Sequence, residues 1–551
     1  MADRITGKPF ATRSEVLSRN GMVASSQPLA TQVGLNILKS GGNAYDAAIA
    51  VNACLGLMEP TGCGVGGDLF ALFWDAKSQE IRGLNGSGRS AKGASLEDMK
   101  SALAGQGLES IPDFGPLSVS VPGCVDGWLS LNKEYGKLPM ADILAPAISY
   151  AKEGFPVSEL IAHYWQSSIE NRKKYPGFME TFTFTDGNAP GKGDIWKNQA
   201  LAATLTEIAE EGRASFYEGR IARVMADYLE QNGSFLRIDD FATHQSDWVA
   251  PIHTNYRDYD IWELPPNGQG LAALQMLNIL GGYDFSEIEF GSAEHLHLFV
   301  EAKKLAFADR ASLYADPEFS NVPLERLLSK EYADSQRKRI APDTAALEIP
   351  TDPEVLSKGD TVYMCTADKE GNMVSFIQSN YFGMGSGMCA PGLGFGFQNR
   401  GRSFAMDPNH ANCYAPGKRP FHTIIPAFIT QDSHPLCAFG VMGGDTQPQA
   451  HVQIVQNLID FGMNLQEAGD APRIVHSGDS EPTGELMTDG GKVSVETGFS
   501  EDVIAELKGK GHNFTDGKDS FGGYQAIWRD AQTGVYSGAS ESRKDGHAAG
   551  Y

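Results

Sequence analysis

The sequence predicts a layered α/β fold on three observations. Helical periodicity dominates the chain before 361, and strand patterns separated by a tight turn begin at Thr361. Glycines gather at 62–67, 383–401 and 438–444, where the backbone is expected to turn tightly around a site.

Residues 29–40 carry the apolar stripe Ala30, Val33, Ile37 and Leu38, and Gly41 stops that helix. A second helix places Ala47, Val51, Cys54 and Met58 on one face. The loop Gly62-Cys63-Gly64-Val65-Gly66-Gly67 leads to a strand over Leu69–Trp74. Helices are expected at 140–153, ending at Gly154, within 200–230, and as a long amphipathic rod at 294–314. Residues 320–358 are acidic, spotted with proline and poorly periodic, so an exposed connecting segment is expected there. Strands follow at Thr361–Ala367 and Met373–Ser379, joined by a turn at 368–372. A further strand, Leu436–Met442, runs through Gly443-Gly444-Asp445 into a helix over 447–461.

No internal repeat or low-complexity linker divides the 551 residues, which favours one large unit. The net charge of −24 argues against nucleic acid as a partner, and an anionic substrate would need a local basic pocket. Seven cysteines, an odd number without a C-x-x-C pair, argue against a disulfide framework or a structural zinc site. With no apolar signal core and no run of about 18 apolar residues, a reducing cytoplasm is the expected location and a membrane is not an expected partner.

Gly62-x-Gly64-x-x-Gly67 matches the dinucleotide fingerprint only on paper, because a helix precedes it and a strand follows. No nucleophile elbow, phosphate loop or H-E-x-x-H occurs. His295 and His297, two apart on a helix, point to different faces, so no metal site is expected from them. Asp360-Thr361-Val362-Tyr363 remains. Threonine alone is a poor nucleophile, but an N-terminal threonine carries its own base, an α-amine of pKa about 7.7–8.0. An internal threonine becomes terminal when its Oγ attacks the preceding carbonyl and water opens the resulting ester. Cleavage of the Asp360–Thr361 bond would yield fragments 1–360 and 361–551. Strands are rich in threonine for ordinary reasons, so this pattern alone is weak. Gly443-Gly444, between a strand and a helix, would offer backbone N–H groups to a developing oxyanion; an ordinary turn would look the same.

An ordered set of motifs gives these residues a context. They are G-M-V-A-S-S-Q-P-L-A at 21–30, G-G-N-A-Y-D-A-A-I-A at 41–50, M-E-P-T-G-C-G-V-G-G-D at 58–68 and V-P-G-C-V-D-G at 121–127. L-P-P-N-G-Q-G at 264–270, E-A-K-K-L-A-F-A-D-R at 301–310 and G-D-T-V-Y-M at 359–364 follow. The chain resembles the gamma-glutamyltransferase (gamma-glutamyltranspeptidase) family of N-terminal-nucleophile hydrolases over almost its whole length. The resemblance implies an α+β layered fold, a four-layer αββα sandwich. It also implies autocatalytic cleavage into large and small subunits that together form one unit, and leaves a dimer of such heterodimers open. It puts the nucleophile and its amine base at Thr361, a second hydroxyl at Ser379, a polar site residue at Asn380 and the oxyanion hole at Gly443 and Gly444. The implied partner is a small-molecule amide, and no metal or organic cofactor is needed.

The family's substrate-gripping motifs are altered. Its D-[FY]-R-E-x-A-P stretch reads Leu84-Asn85-Gly86-Ser87-Gly88-Arg89-Ser90, with Ser87 in register with the arginine and Arg89 two positions on. Where the family keeps acids for an α-amine, this chain has Gln398-Asn399-Arg400-Gly401-Arg402, and its paired serines become His422-Thr423. Arg89, Arg400, Arg402, Lys418 and Arg419 are therefore expected as candidates for an anion pocket, with Gln398, His422 and Thr423 as neighbouring substrate contacts. The pattern is similar to the cytosolic, signal-less branch, whose members are glutathione hydrolase-like, cephalosporin acylase-like or oxamate-cleaving. An uncleaved, non-catalytic binding scaffold is the alternative of another class.

Overall fold

The computed structural model describes residues 5–349, 360–517 and 521–551. Two seven-stranded antiparallel sheets pack against each other. The first runs His547–Gly550, Met22–Ser25, Asp360–Ala367, Met373–Tyr381, Asp68–Asp75, Glu80–Gly86 and Asp247–Val249. The second runs Val16–Ser18, Tyr536–Ser540, Gly523–Arg529, His434–Met442, Ala427–Gln431, Tyr259–Glu263 and Ile252–Tyr256. Both sheets mix strands from before and after position 360, so the two would-be fragments are interleaved.

Strand alternation builds the layers. Tyr363, Cys365 and Ile377 face inward and pack with Phe428, Ala438 and Ile527 of the second sheet. Their neighbours Val362, Met364, Val374 and Phe376 face outward onto the helices Pro28–Lys39 and Ala44–Met58. Beyond the second sheet, Ile429, Phe439 and Val441 meet the helices Gly270–Leu280, Ala293–Leu313 and Thr446–Ile459. Each buried aliphatic side chain contributes about 1.5–3 kcal/mol of transfer free energy. The result is the expected αββα sandwich.

The element pattern follows the sequence closely through Met140–Glu153, which ends at Gly154 with φ of 100°. Two expectations change. The helix Ala293–Leu313 is not amphipathic in its setting, because Glu301, Lys303, Lys304 and Arg310 are as buried as its leucines. Each of these charges has a counterion: Lys304 pairs with Glu301 at 2.8 Å, Lys303 with Asp479, and Arg310 with Asp445 and Glu481. The segment expected to be a plain connection also folds locally, with helices Leu324–Leu328 and Lys330–Arg337. Residues 350–358 of that segment lie outside the described residues. Among the described residues, no helix is long and apolar enough to cross a membrane.

Candidate active site

Thr361 sits where the register of its strand breaks. Asp360 pairs with Tyr381 and Val362 with Gln378, so Thr361 occupies a bulge opposite Ser379 and Asn380. It shares the inward face with Tyr363. Ser379 shares that face with Ile377, and the two hydroxyls meet: Thr361 Oγ1 donates to Ser379 Oγ at 3.3 Å. The Tyr381 N–H in turn donates to Ser379 Oγ at 2.8 Å. From the second sheet's side, Gln447 Nε2 donates to Thr361 Oγ1 at 3.3 Å, while Gln447 Oε1 accepts the Ile425 N–H at 2.9 Å. Gln447 stands in the first turn of the helix that follows Gly443-Gly444. The two glycines adopt φ of 130° and 58°, the left-handed backbone that favours glycine. The Gly443 carbonyl accepts from the Thr446 N–H and the Gly444 carbonyl from the Gln447 N–H. In a trans peptide N–H and C=O point opposite ways, so the Gly444 N–H is turned away from that helical turn.

The glycine loop at 62–67 is a floor for the strands around Thr361 and Ser379 rather than a nucleotide cradle. The Asn380 N–H donates to the Gly62 carbonyl, and a Cβ on Gly67 would lie 2.5 Å from the Ser379 carbonyl oxygen.

Beside Ser379 lies a buried polar cluster. Asp68 pairs across the strands with Ser379 and is wholly buried. Its carboxylate accepts from the Gly88 N–H at 2.8 Å and from His422 Nε2 at 2.8 Å. His422 Nδ1 accepts the Ile424 N–H, which leaves the ring proton on Nε2. Burial pushes the Asp68 carboxyl up to about 7, against the opposing pull of Arg400. Burial, reinforced by Arg400, holds His422 well below its ordinary range. Arg400 is 1% exposed and lies over the Tyr381 ring, 3.9 Å from its centroid. Its Nη1 donates to Thr423 Oγ1 at 2.8 Å, and among the described residues its Nη2 has no hydrogen-bond partner. Burial lowers its pKa to about 10, which leaves it cationic at neutral pH. Gln398 supports it, accepting the Arg400 N–H through Oε1 and donating to Ser120 Oγ through Nε2.

The other expected basic residues take partners outside this cluster, although Arg419 still acts on Asp68 as a neighbouring charge. Arg89 bonds Glu318 at 2.7 Å and lies 3.6 Å from both Asp247 and Asp316. Arg419 pairs with Asp247 at 2.7 Å and also reaches Glu318. Arg402 is taken by Asp113 at 2.9 Å, and Lys418 donates to the carbonyls of Ala411 and Cys413. Asn380 is a second correction. One residue beyond Ser379, it falls on the opposite face and lines a small cavity with Cys63, Phe182 and Trp196 in the helical layer. Ser87, in register with the family's arginine, bonds Asn85 and Asn267 instead.

Sequence reasoning passed over Asp68, Tyr381 and Gln447, and also Gln269, which donates to the Thr423 and Gly444 carbonyls, and Arg310, which bonds Gln269 and Asp445. Asp68, Gln269 and Arg310 each lie inside a quoted motif, which was the available signal. On the other side of the glycine pair opens a cleft of about 1000 Å³, lined by Gly443, Asp445, Thr446, Phe382, Arg172 and Lys544 among others. Among the described residues, His297, Glu301 and His512 offer three ligand atoms within 4.8 Å of one another. Those groups already bond one another, the Ala341 carbonyl, the Ala346 N–H and Lys304.

Comparison with known proteins places this architecture. The gamma-glutamyltranspeptidase family model matches residues 30–551. A glutathione hydrolase-like proenzyme of Bacillus subtilis is 40% identical over 97% of this chain and 99% of its own. An oxamate amidohydrolase proenzyme of Klebsiella pneumoniae is 34% identical over 98% and 100%. The crystal structure of a cephalosporin acylase from Bacillus halodurans superposes with a TM-score of 0.90 at 43% identity, covering 100% of this chain and 99% of that one. A family match over nearly the whole chain, two proenzyme relatives and a shared sandwich agree: this chain belongs to the gamma-glutamyltranspeptidase family of N-terminal-nucleophile hydrolases.

Proposed function

We propose that the chain is a self-processing threonine amidohydrolase that cleaves small amides whose acyl group carries an anion. The observation that carries this reading is the placement of Thr361 Oγ1 between Ser379 Oγ and Gln447 Nε2, beside the Gly443-Gly444 turn. The proenzyme names of its relatives support cleavage before use. Attack of Thr361 Oγ1 on the Asp360 carbonyl, followed by hydrolysis of the ester, would release 1–360 and 361–551. The new α-amine then takes the hydroxyl proton as Oγ1 attacks the substrate carbonyl. The Gly443 and Gly444 N–H groups stabilise the tetrahedral oxyanion. The amine departs with the transferred proton, and water releases the acyl group from its ester.

Arg400 supplies the acyl preference. A guanidinium buried beside Thr423 with a spare N–H edge suits a carboxylate, and the acid that would hold an α-ammonium is absent at this position. The reading favours an oxamate-like or other short dicarboxylic half-amide over a zwitterionic γ-glutamyl group. The width of the cleft beyond Gly443 favours a second version of it, in which the departing amine is bulky, as in an acyl-β-lactam.

Intact-mass measurement tests the core of the proposal. Wild type should separate into two fragments split before Thr361, and Thr361→Ala should remain one chain. Active wild-type protein with that peptide bond whole would defeat it. Processed enzyme should turn over acidic half-amides faster than a γ-glutamyl anilide; the reverse order would remove the role given to Arg400.

A further inference from the structure

Arg310 has no part in the chemistry just described, yet it is wholly buried at the centre of the site's scaffold. It stands on the Ala293–Leu313 helix and flattens against the Phe307 ring, 3.9 Å from its centroid. Nη1 donates to Gln269 Oε1 at 2.8 Å and to Asp445 Oδ1 at 2.7 Å, and Nη2 donates to Glu481 Oε2 at 2.6 Å. Asp445 is the residue directly after the glycine pair.

Gln269 carries the effect onward. A side-chain amide can face either way, but a guanidinium only donates, so Arg310 obliges the Gln269 oxygen to face it. The Gln269 amide nitrogen must then face the opposite side, where it donates to the Thr423 carbonyl at 2.7 Å and the Gly444 carbonyl at 2.9 Å. One amide therefore ties the oxyanion turn to the residue that seats Arg400. Left-handed glycines are free to rotate, and the Gly444 carbonyl shares its peptide plane with the Asp445 N–H, so holding that plane fixes the far side of the Gly444 Cα and limits rotation of the Gly444 N–H about it.

We infer that Arg310 is the positioning residue of the oxyanion turn, acting through Gln269 on the Gly444–Asp445 peptide and through the Asp445 side chain on the residue that ends the glycine pair. The inference rests on the amidohydrolase reading above. It assigns a catalytic consequence to a helix that never touches substrate, and it spans the proposed cut, since Gln269 and Arg310 precede position 360 while Thr423, Asp445 and Glu481 follow it.

The test uses processed protein, with rates counted per Thr361 titrated by an acylating electrophile. Arg310→Gln should lower kcat about 30-fold while KM moves less than about threefold, and Arg310→Lys should recover part of the loss. A boronic acid that forms a tetrahedral adduct on Thr361 should lose affinity in step with kcat, whereas the product carboxylate should not. Gln269→Met guards against a variant that fails to fold, because it leaves Arg310 with both carboxylates yet removes the relay; it should show the same kcat loss. Gln269→Met with kcat within about threefold of wild type would overturn the inference, as would a loss confined to KM. Failure of wild type to process or turn over would instead strike the amidohydrolase reading.

Discussion

Arg400 and Arg89 were equal candidates for an anion site, and the structure puts them in opposite circumstances. Arg89 is ringed by Asp247, Asp316 and Glu318, and Glu318 is more than half exposed. Arg400 is buried, and among the described residues its guanidinium donates to a neutral hydroxyl, with Asp68 acting on it as a neighbouring charge. An arginine whose charge is already matched by carboxylates has little to offer a substrate. A buried one with a free N–H edge is costly to leave so, and an anionic ligand offsets that cost. The difference lies in the partners rather than in the residue type.

The strongest way to break the comparison is Arg400→Met. Removing a buried charge that pairs with substrate should cut kcat/KM on an acidic half-amide about 100-fold or more, while a neutral acyl amide of the same size should change far less. Equal losses on both substrates would mean that Arg400 supports the fold and not the anion.

A smaller effect should come from pH. The folded pKa of Asp68 is raised to about 7, so its carboxyl is neutral below that pH and charged above it. As pH rises through about 7, the new carboxylate competes with substrate for Arg400, so KM for an anionic amide should climb. The same sign applies to stability: a raised acid favours folding below its unfolded pKa and loses that contribution as pH rises through the folded value. Asp68→Asn should flatten the KM profile; a profile as steep as wild type would assign the titration elsewhere.

The smallest effect is expected at Arg89. Its ion pairs are partly exposed, so Arg89→Met should cost about 1 kcal/mol or less in denaturant unfolding and leave KM within about twofold. A large KM change would erase the distinction between the two arginines.

Much of the scaffold was readable along the chain. Helix stripes and stops at 28–58 and 140–154, the strand pair around Thr361 and the strand-to-helix turn at Gly443 are local patterns, and each formed within a residue or two of its expected place. Asn380 shows where such reading ends. Adjacency to Ser379 suggested a shared site, but a strand sends neighbours to opposite faces, and the bulge at Thr361 sets which face Thr361 shares with Ser379. The 294–314 helix shows the same limit: its charges read as a solvent face until counterions from 445 to 481 close over them.

By itself the sequence determined the layered class, because short-range periodicity and turn chemistry are written in neighbouring residues, while the ordered motifs carried the family resemblance that singled out the threonine and glycine pair on which the proposed chemistry turns. Only the tertiary structure decided which arginine keeps an unpartnered edge among the described residues, that Asp68 and His422 lie against each other, and that Arg310 stands behind the Gly443-Gly444 turn. Those facts depend on which groups meet across 23 to 354 positions of chain and on how completely they leave water, and no local pattern encodes either.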